Sequence, residues 1–251
     1  MNIIISIVSH GHGSLVSENT HLLAISMLTG VSIVVKDNLG EQILKEYCAI
    51  NDFIYIDEMK GLGFGANNNY IFNNYLQLET DYFIVMNPDV YISVNEFSKL
   101  YRYLILSNRP LVTIDLYRDF DFDVRDNSIR KFPRFSDFFY SFLLSKNSSI
   151  YDRKSLIENP DWCAGSFMCF SVGLFSKLNG FDENFFMYCE DLDICKRSKD
   201  KGYPLYYFSG SKAVHTAAFN NRSMFSIHFY WHLSSVVRYL IKQHFTVGDR
   251  K

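Results

Sequence analysis

The feature that most constrains the fold is a regular alternation of short apolar segments with helical patterns in residues 1–117. The first segment, Ile3–Val8, is rich in β-branched residues and short, so it predicts a buried strand. The same criteria predict further strands at Val31–Val35, Phe53–Ile56, Tyr82–Met86 and Leu111–Leu116. The segments between them predict helices at Ser17–Leu28, Glu41–Cys48 and Asn67–Leu76. Such an alternation favours an α/β fold with a mostly parallel, Rossmann-like sheet flanked by helices.

The second half of the chain is less regular. Its predicted elements are a charged loop at 118–127, an aromatic helix at 135–144, a strand segment at 162–172, helices at 173–179 and 190–201, a strand at 206–208 and a long amphipathic helix at 222–245. The apolar stripe of that last helix is predicted at Phe225, Phe229, Leu233, Val236, Val237 and Leu240. No linker divides the chain, so we predict one domain over 1–251, whose successive parts are residues 1–117, residues 118–215 and the C-terminal helix.

Composition excludes several classes of protein. The chain has 25 Lys and Arg against 27 Asp and Glu, which is unlike a nucleic-acid-binding protein. Hydrophobic residues make up 48% of it, which excludes intrinsic disorder. Its five cysteines form no C-x-x-C pair, so a reducing, cytoplasmic setting is predicted. No apolar run reaches the roughly 18 residues of a membrane span, so a membrane would be contacted only at its surface.

Asn87-Pro88-Asp89 follows the predicted strand Tyr82–Met86 directly. Ligands of open α/β sheets bind at the carboxyl ends of strands. A carboxylate at that position can hold a hard cation, and the cation can neutralise a diphosphate. Asn, Pro and Asp are also common turn residues, so a plain strand-to-turn junction is the alternative.

The segment Glu190-Asp191-Leu192-Asp193 places three acids at the start of a predicted helix. Acids at a helix N-terminus are favoured by the helix dipole, which explains one or two of them. Clustered carboxylates also raise one another's pKa, and this can produce a general base. On these grounds capping and catalysis are equally good explanations.

Three further features have both structural and functional explanations. Gly61–Ala66 fits a dinucleotide-binding pattern, but it follows the third strand instead of the first, so a ligand-facing glycine loop is the more modest interpretation. His215 follows a strand and is either a structural histidine or a metal ligand. Basic and aromatic residues around Arg130–Arg134 and on the last helix indicate either ordinary packing or a surface for a membrane and a lipid diphosphate.

Taken together, these residues resemble the family 2 inverting glycosyltransferases with the GT-A fold. The motifs that carry the resemblance occur in the family order: Ile3–His10, Val34–Asn38, Gly63–Asn68, Met86–Val90, Trp162–Met168, and Gly180–Glu183 through Glu190–Asp193. Within the family, the chain is most similar to the bacterial rhamnosyltransferases of O-antigen assembly. That similarity rests on Val8–His12, Arg130–Pro133 with Ser136–Phe138, and Asn221–Ser223 with Trp231–Leu233.

The resemblance implies a transfer of L-rhamnose from dTDP-L-rhamnose to N-acetylglucosamine on undecaprenyl diphosphate. It implies that Asp191 is the catalytic base, with Glu190 as the fallback, and that Asp89 and His215 bind Mg²⁺ or Mn²⁺. The remaining implied contacts are Ser9, Asp37, Asn38, Gly63, Asn67, Asn87 and Asp89 for the donor, and Trp162, Gly165, Ser166, Arg130 and Lys131 for the acceptor. The family's usual first metal-binding acid is replaced by Asn87. The implied location is the inner face of the cytoplasmic membrane.

Other classes of protein fit the sequence less well. A sugar-nucleotide pyrophosphorylase needs a basic phosphate loop after the first strand, and His10–Gly13 contains no Lys or Arg. A dehydrogenase is supported only by the Gly61–Ala66 loop. A non-catalytic sugar-binding module needs neither Asp89 nor Asp191. The same fold with another nucleotide-sugar donor remains the main alternative.

Overall fold

The computed structural model describes residues 1–76, 80–133, 151, 157–216 and 227–248, with side chains of the last helix up to residue 243. The predicted helix at 135–144 and the motifs at 136–138 and 221–223 lie outside these residues. Within the described residues, the chain forms a mixed α/β structure with a large central sheet flanked by helices.

The strands of the central sheet are β1 Asn2–Ser9, β2 Val31–Asp37, β3 Ile54–Ile56, β4 Thr80–Met86, β5 Val90–Tyr91, β6 Leu111–Tyr117, β9 Phe167–Ser171 and β10 Tyr206–His215. Within the described residues, these eight strands lie in the order β3-β2-β1-β4-β9-β6-β10-β5. Its first four strands in sheet order are parallel, as the alternating pattern predicts. β9 is antiparallel to both β4 and β6, and β10 is parallel to β6. A separate ribbon pairs β7 Ile129–Arg130 with β8 Trp162–Cys163.

The helices cover both faces of the sheet, and their inner sides complete two hydrophobic clusters. Alternate residues of β1 divide between these clusters, because successive side chains of a strand point to opposite faces. The helices are α1 Gly13–Glu18, α2 Thr20–Ser26, α3 Gln42–Ile50, α4 Phe64–Tyr75, α5 Val94–Ser107, α6 Val172–Lys177, α7 Glu190–Asp200 and α8 Ile227–Gly248. Because β9 lies between β4 and β6, the two predicted halves of the chain share one sheet.

Two element boundaries differ from the sequence prediction. The single helix predicted at Ser17–Leu28 is two helices, because Asn19 leaves helical geometry and its side-chain amide donates to the carbonyl of Val90. The strand predicted at Tyr206–Phe208 continues to His215. A shift in register between Phe208 and Lys212, at a polar stretch, conceals this continuation from a pattern search.

Helix α8 packs on the segment that leads into α7. Val236 and Tyr239 join Phe185, Cys189 and Leu192 in a third buried cluster. The apolar stripe predicted for this helix is therefore partly wrong, because Leu233 and Val237 are 45% and 48% exposed. The helix carries apolar residues on more than one side, and contact with the Phe185–Cys189 segment decides which of them are buried. No helix in the described residues has the length and apolarity needed to cross a membrane.

Candidate active site

Strand register brings Asp89 and His215 together. β4 ends at Met86, the chain turns through Asn87-Pro88-Asp89, and β5 then pairs antiparallel with β10 so that His215 lies opposite Val90. The His215 Nε2 atom lies 3.5 Å from Asp89 Oδ1. Both side chains are mostly buried. Two residues 126 positions apart in sequence thus meet at the carboxyl end of β4.

A third residue, Asp126, joins this pair. Its Oδ2 atom lies 2.7 Å from the other ring nitrogen of His215, Nδ1. Burial would raise the pKa of Asp126, but its hydrogen bond with His215 and the positive charges of His215, Arg118 and Arg130 outweigh burial and lower that pKa. Asp126 is therefore an ionised acceptor at neutral pH.

The start of β9 connects this end of the site with the predicted base. Asn87 N–H donates to the carbonyl of Ser166 at 2.9 Å, and Gly165 N–H donates to Asp191 Oδ2 at 3.0 Å. Two consecutive residues of one short segment thus contact the Asn87 turn on one side and Asp191 on the other. The Ser166 hydroxyl is buried and has no hydrogen-bond partner in the described structure.

Asp191 and Glu190 are adjacent carboxyl groups at the start of α7. Burial raises the pKa of Asp191, against the opposing effects of the Gly165 and Leu192 N–H groups and the charge of Arg130. Burial, and secondly the charge of Asp191, raise the pKa of Glu190 well above its ordinary value. Raised carboxyl pKa values suit groups that take up a proton during a reaction.

The β7–β8 ribbon lies beside this pair. Arg130 pairs with Trp162 across the ribbon, and its guanidinium lies 5.4 Å from the centre of the Trp162 ring. The Trp162 indole N–H donates to the carbonyl of Lys131 at 2.9 Å. The positive charge of Arg130 lowers the pKa of both Asp126 and Asp191, so it acts on both ends of the site.

The glycine-rich loop at Gly61–Ala66 contacts two predicted donor-binding residues and the segment that precedes helix α7. Asn38 and Asn67 both donate side-chain amides to the carbonyl of Leu62, at 3.3 and 2.8 Å. Their side-chain oxygens are buried and have no hydrogen-bond partner in the described residues. Gly63 is needed for close packing, because a Cβ there would overlap the carbonyl oxygen of Phe186.

Ser9 and Asp37 are fully buried and already have partners. The Ser9 hydroxyl donates to Glu41 and accepts from His12 N–H. The Asp37 carboxylate accepts from Tyr55 and from the N–H groups of residues 39–41. Burial would raise the pKa of Asp37, but these bonds outweigh it and lower the pKa. In this structure both side chains therefore shape the loop at the ends of β1 and β2.

Sequence reasoning missed Asp126, Glu41 and His12. Asp126 lies in the predicted charged loop at 118–127, where no pattern distinguishes it from its neighbours. Glu41 anchors Ser9 and the N–H of Gly13. Burial lowers the pKa of His12, while the charges of Asp89 and Glu41 oppose that effect, so His12 is near the Asp89 end of the site. The recurring histidines in His10-Gly11-His12 were the available signal for His12.

The side chains at the Asp89 end fit a divalent cation as two of its ligands. A carboxylate oxygen and an imidazole nitrogen 3.5 Å apart can both bind one Mn²⁺ or Mg²⁺ ion. The part of the chain that the structure describes contains no group of three or more such side chains around one point.

Solved structures share this architecture. The chain is similar to a mannosyltransferase from Pyrobaculum calidifontis, with a TM-score of 0.60, 12% identity and coverage of 88% of this chain and 58% of that one. It is also similar to GalNAc-T7, with a TM-score of 0.62, 14% identity and coverage of 86% and 44%. The chain thus spans about half the length of these neighbours, and the likeness shows the GT-A fold of glycosyltransferases.

Relatives with similar sequences identify the family. No family model matches the chain. It is 36% identical over 247 residues to the rhamnosyltransferase WbbL of Escherichia coli K12, covering 95% of this chain and 92% of that protein. It is 23% identical over 192 residues to the hexosyltransferase Agl10 of Haloferax volcanii, covering 76% and 61%. The chain is a glycosyltransferase and belongs to the family 2 glycosyltransferases that include WbbL.

Proposed function

We propose that this glycosyltransferase moves L-rhamnose from dTDP-L-rhamnose to N-acetylglucosamine on undecaprenyl diphosphate during O-antigen assembly. The observation that carries the proposal is the connection through Gly165 and Ser166 between the Asp191 carboxylate and the Asn87–Asp89 turn. This connection supports the proposal that Asp191 acts as a base in the same site as a diphosphate-binding turn. The choice of sugar is supported by the 36% identity to a rhamnosyltransferase.

The reaction is a single displacement. The acceptor hydroxyl oxygen attacks the anomeric carbon while Asp191 takes up the hydroxyl proton. The bond between that carbon and the diphosphate oxygen breaks, and the nucleoside diphosphate leaves with the electron pair. Attack from the face opposite the leaving group inverts the anomeric centre. A general base in this position contributes about 10²- to 10⁴-fold to the rate.

Asp89 and His215 are the residues that would hold Mg²⁺ or Mn²⁺ against the diphosphate. When bound, the cation neutralises negative charge that grows on the leaving group. Mn²⁺ and a nucleotide or nucleotide sugar are present in the two solved structures with the same fold, the mannosyltransferase with GDP-Man and GalNAc-T7 with UDP and GalNAc. These complexes support a nucleotide-sugar donor and a divalent cation for this chain.

The remaining predicted contacts divide between the two substrates. We propose that Asn38, Gly63, Asn67 and Asn87 contact the donor directly. Ser9 and Asp37 support the donor side by holding the loops that follow β1 and β2. The proposed acceptor side consists of Arg130, Lys131, Trp162, Gly165 and Ser166.

Helix α8 offers a surface for a membrane that carries the lipid-linked acceptor. Its outward side is apolar at positions spaced by three or four residues: Ile227, Tyr230, Leu233, Val237 and Ile241, which are 45–66% exposed. A helix with such a side can lie in the interface of a bilayer. We propose that the protein binds the inner face of the cytoplasmic membrane through this side.

A mass-resolved transfer assay tests the proposed reaction. Purified protein, Mn²⁺ or Mg²⁺ and lipid-diphosphate N-acetylglucosamine are incubated with a panel of nucleotide sugars. The expected product carries one added deoxyhexose and forms only from dTDP-L-rhamnose. NMR of that product then gives the linkage and the anomeric configuration.

Other outcomes of the assay separate the alternatives. Transfer only from a different donor overturns the choice of rhamnose and leaves the family assignment intact. If no donor is used, slow release of nucleotide without acceptor still indicates an enzyme and points to a different acceptor. Absence of both activities supports the sugar-binding module.

A further inference from the structure

The geometry points to Asp126 as the positioning residue of the cation site: we propose that it fixes the ring of His215 so that Nε2 faces Asp89. The inference rests on the proposed function, since it concerns the cation and diphosphate end of the same site. Asp126 belongs to no motif of the sequence, and no role follows for it from the family resemblance.

The hydrogen bond of Asp126 selects one form of the His215 ring. Asp126 Oδ2 lies 2.7 Å from His215 Nδ1, and a carboxylate oxygen at this distance accepts a hydrogen bond from Nδ1 when Nδ1 carries the hydrogen. In the neutral ring, Nε2 then carries a lone pair. A ring held in this way presents a ligand atom in a fixed direction.

The atom that Nε2 faces indicates the function of this fixed ring orientation. Nε2 lies 3.5 Å from Asp89 Oδ1, which is also an acceptor. When Nε2 is unprotonated, these two acceptor atoms repel each other at this distance unless a cation lies between them, whereas a proton on Nε2 would pair with Asp89. The arrangement is therefore complementary to a positive charge bound by both Asp89 and His215.

Asp126 is itself held firmly. Its N–H donates to the carbonyl of Leu116 at 2.8 Å, and Arg125 forms a bridge with Tyr117 across the turn that follows β6. Arg118 Nε lies 3.6 Å from Asp126 Oδ1. The carboxylate is thus supported by backbone and by charge on the side away from His215, which suits it to orient another side chain.

The experiment compares Asp126→Ala, Asp126→Asn and the control Asp119→Ala. Asp119 lies in the same loop, and its carboxylate accepts from the N–H groups of Asp123 and Val124 without contacting His215. Mn²⁺ binding to the full chain in the presence of dTDP is measured by calorimetry, and the tautomer of His215 without metal is measured by ¹⁵N NMR.

We expect Asp126→Ala to weaken Mn²⁺ binding by roughly 10- to 100-fold, the usual effect of losing a partner of a metal-binding histidine. His215 should also lose its preference for hydrogen on Nδ1. Asp126→Asn should retain most of the affinity, because its amide oxygen still accepts from Nδ1. Asp119→Ala should bind Mn²⁺ like the wild type.

Three results would overturn the assignment. If Asp126→Ala binds Mn²⁺ within twofold of the wild-type affinity, Asp126 does not position His215, and the proposed cation site itself is unaffected. An equal loss in Asp119→Ala would show that loop structure is responsible. A wild-type protein that binds dTDP without Mn²⁺, and transfers sugar in the presence of a chelator, would overturn the proposed cation site together with this inference.

Discussion

The two ends of the active site are built from different kinds of structure. At the Asp89 end, the functional side chains lie on or beside hydrogen-bonded strands, and the β5–β10 pairing sets their separation. At the Asp191 end, they begin a helix whose preceding residues, Tyr188 and Cys189, both have left-handed backbone, with φ of 71° and 65°. Left-handed backbone in residues other than glycine costs about 1–3 kcal/mol each and needs support from its surroundings.

Helix α8 supplies much of that support. Tyr188 hydrogen-bonds with His228 at 3.2 Å, and Ser235 donates to the carbonyl of Met187 at 2.8 Å. Lys242 lies 2.7 Å from Asp182 and 2.6 Å from Asp193, so it joins the start of the segment to helix α7. The proposed base is thus positioned with the help of helix α8, whereas the proposed cation ligands are positioned by the sheet.

Because the two ends are built differently, we expect changes at one end to affect ligand binding and changes at the other to affect the chemical step. A change at the Asp89 end should alter how the diphosphate and cation bind, because the sheet there keeps its shape. A change at the Asp191 end should alter mainly the turnover number, because it removes or displaces the base. The following predictions test this separation.

The largest effect is expected for Asp191→Asn. The amide cannot accept the hydroxyl proton, so turnover should fall by about 10²- to 10⁴-fold, the range of a general base. Binding of dTDP should stay close to wild type. Steady-state transfer kinetics and calorimetry with dTDP provide the two measurements.

Asp200→Asn is the matched control for this variant. Asp200 ends the same helix and pairs with Lys196 away from the site, so turnover should be unchanged. Near wild-type turnover in purified Asp191→Asn would remove Asp191 as the base and direct attention to Glu190.

Asp89→Ala should reduce transfer by at least about 10²-fold, since a catalytic cation contributes several kcal/mol of charge stabilisation. Unlike Asp191→Asn, it should also raise the Mn²⁺ concentration needed for half-maximal rate. Metal titrations of the transfer rate measure both effects.

Asp81→Ala is the control for Asp89→Ala, because Asp81 lies near the opposite end of β4, where it accepts from the N–H of Asn2. It should leave the metal titration unchanged. Wild-type activity that persists with excess chelator would contradict a cation at Asp89.

Much of the fold could be predicted because its strands are short, apolar and separated by helical patterns. β1, β2 and β4 were found from those patterns, each within two residues at either end. The helix break at Asn19 depends on a hydrogen bond to Val90, which is 71 residues away, so local propensity contains no sign of it. The buried side of α8 likewise depends on residues 185–189.

The candidate site likewise contains residues that the sequence indicated and residues that it did not. The sequence indicated Asp89 as a candidate because it follows a buried strand, and the family resemblance implied roles for Asp191 and His215; the roles of all three stay predictions. Asp126 could not be predicted, because its contact with His215 spans 89 residues and depends on a turn after β6. Sequence also did not indicate that the Asp37 carboxylate is occupied by the neighbouring loop.

A smaller effect is expected for Gly165→Ala, at the segment that joins the two ends. The new Cβ would lie 3.0 Å from the Phe64 ring and 3.7 Å from Asp191 Cβ, so Gly165 or Phe64 must move. Small displacements of catalytic groups are costly, and we expect turnover to fall about 10-fold. Gly173→Ala is the control, because a Cβ there meets nothing within 4 Å. Equal kinetics for the two variants would show that the Gly165–Asp191 contact does not position the base.

The smallest effect is on stability and concerns Glu190→Gln. Glu190 is 6% exposed and its Oε2 atom has no hydrogen-bond partner in the described structure. Burial and the charge of Asp191 raise its pKa, so the folded protein binds a proton more readily than the unfolded chain does. Stability contributed by this group is therefore lost as the pH rises through its raised pKa.

Glu190→Gln removes that loss, so its advantage over wild type should be absent below the ordinary Glu pKa and should grow as the pH rises. An unpaired buried polar group costs about 1–3 kcal/mol and a charged one costs more, so the neutral amide should be favoured over the carboxylate once Glu190 is ionised. For a chain of this length, each kcal/mol corresponds to about 2–4 °C in Tm. Thermal unfolding between about pH 4 and pH 9 measures the trend, with the exposed Glu183→Gln as control. If wild type and variant are equally stable near pH 9, burial of the ionised Glu190 does not lower the free energy of unfolding. The Asp191 end would then destabilise the fold less than its left-handed turn and buried acid indicate.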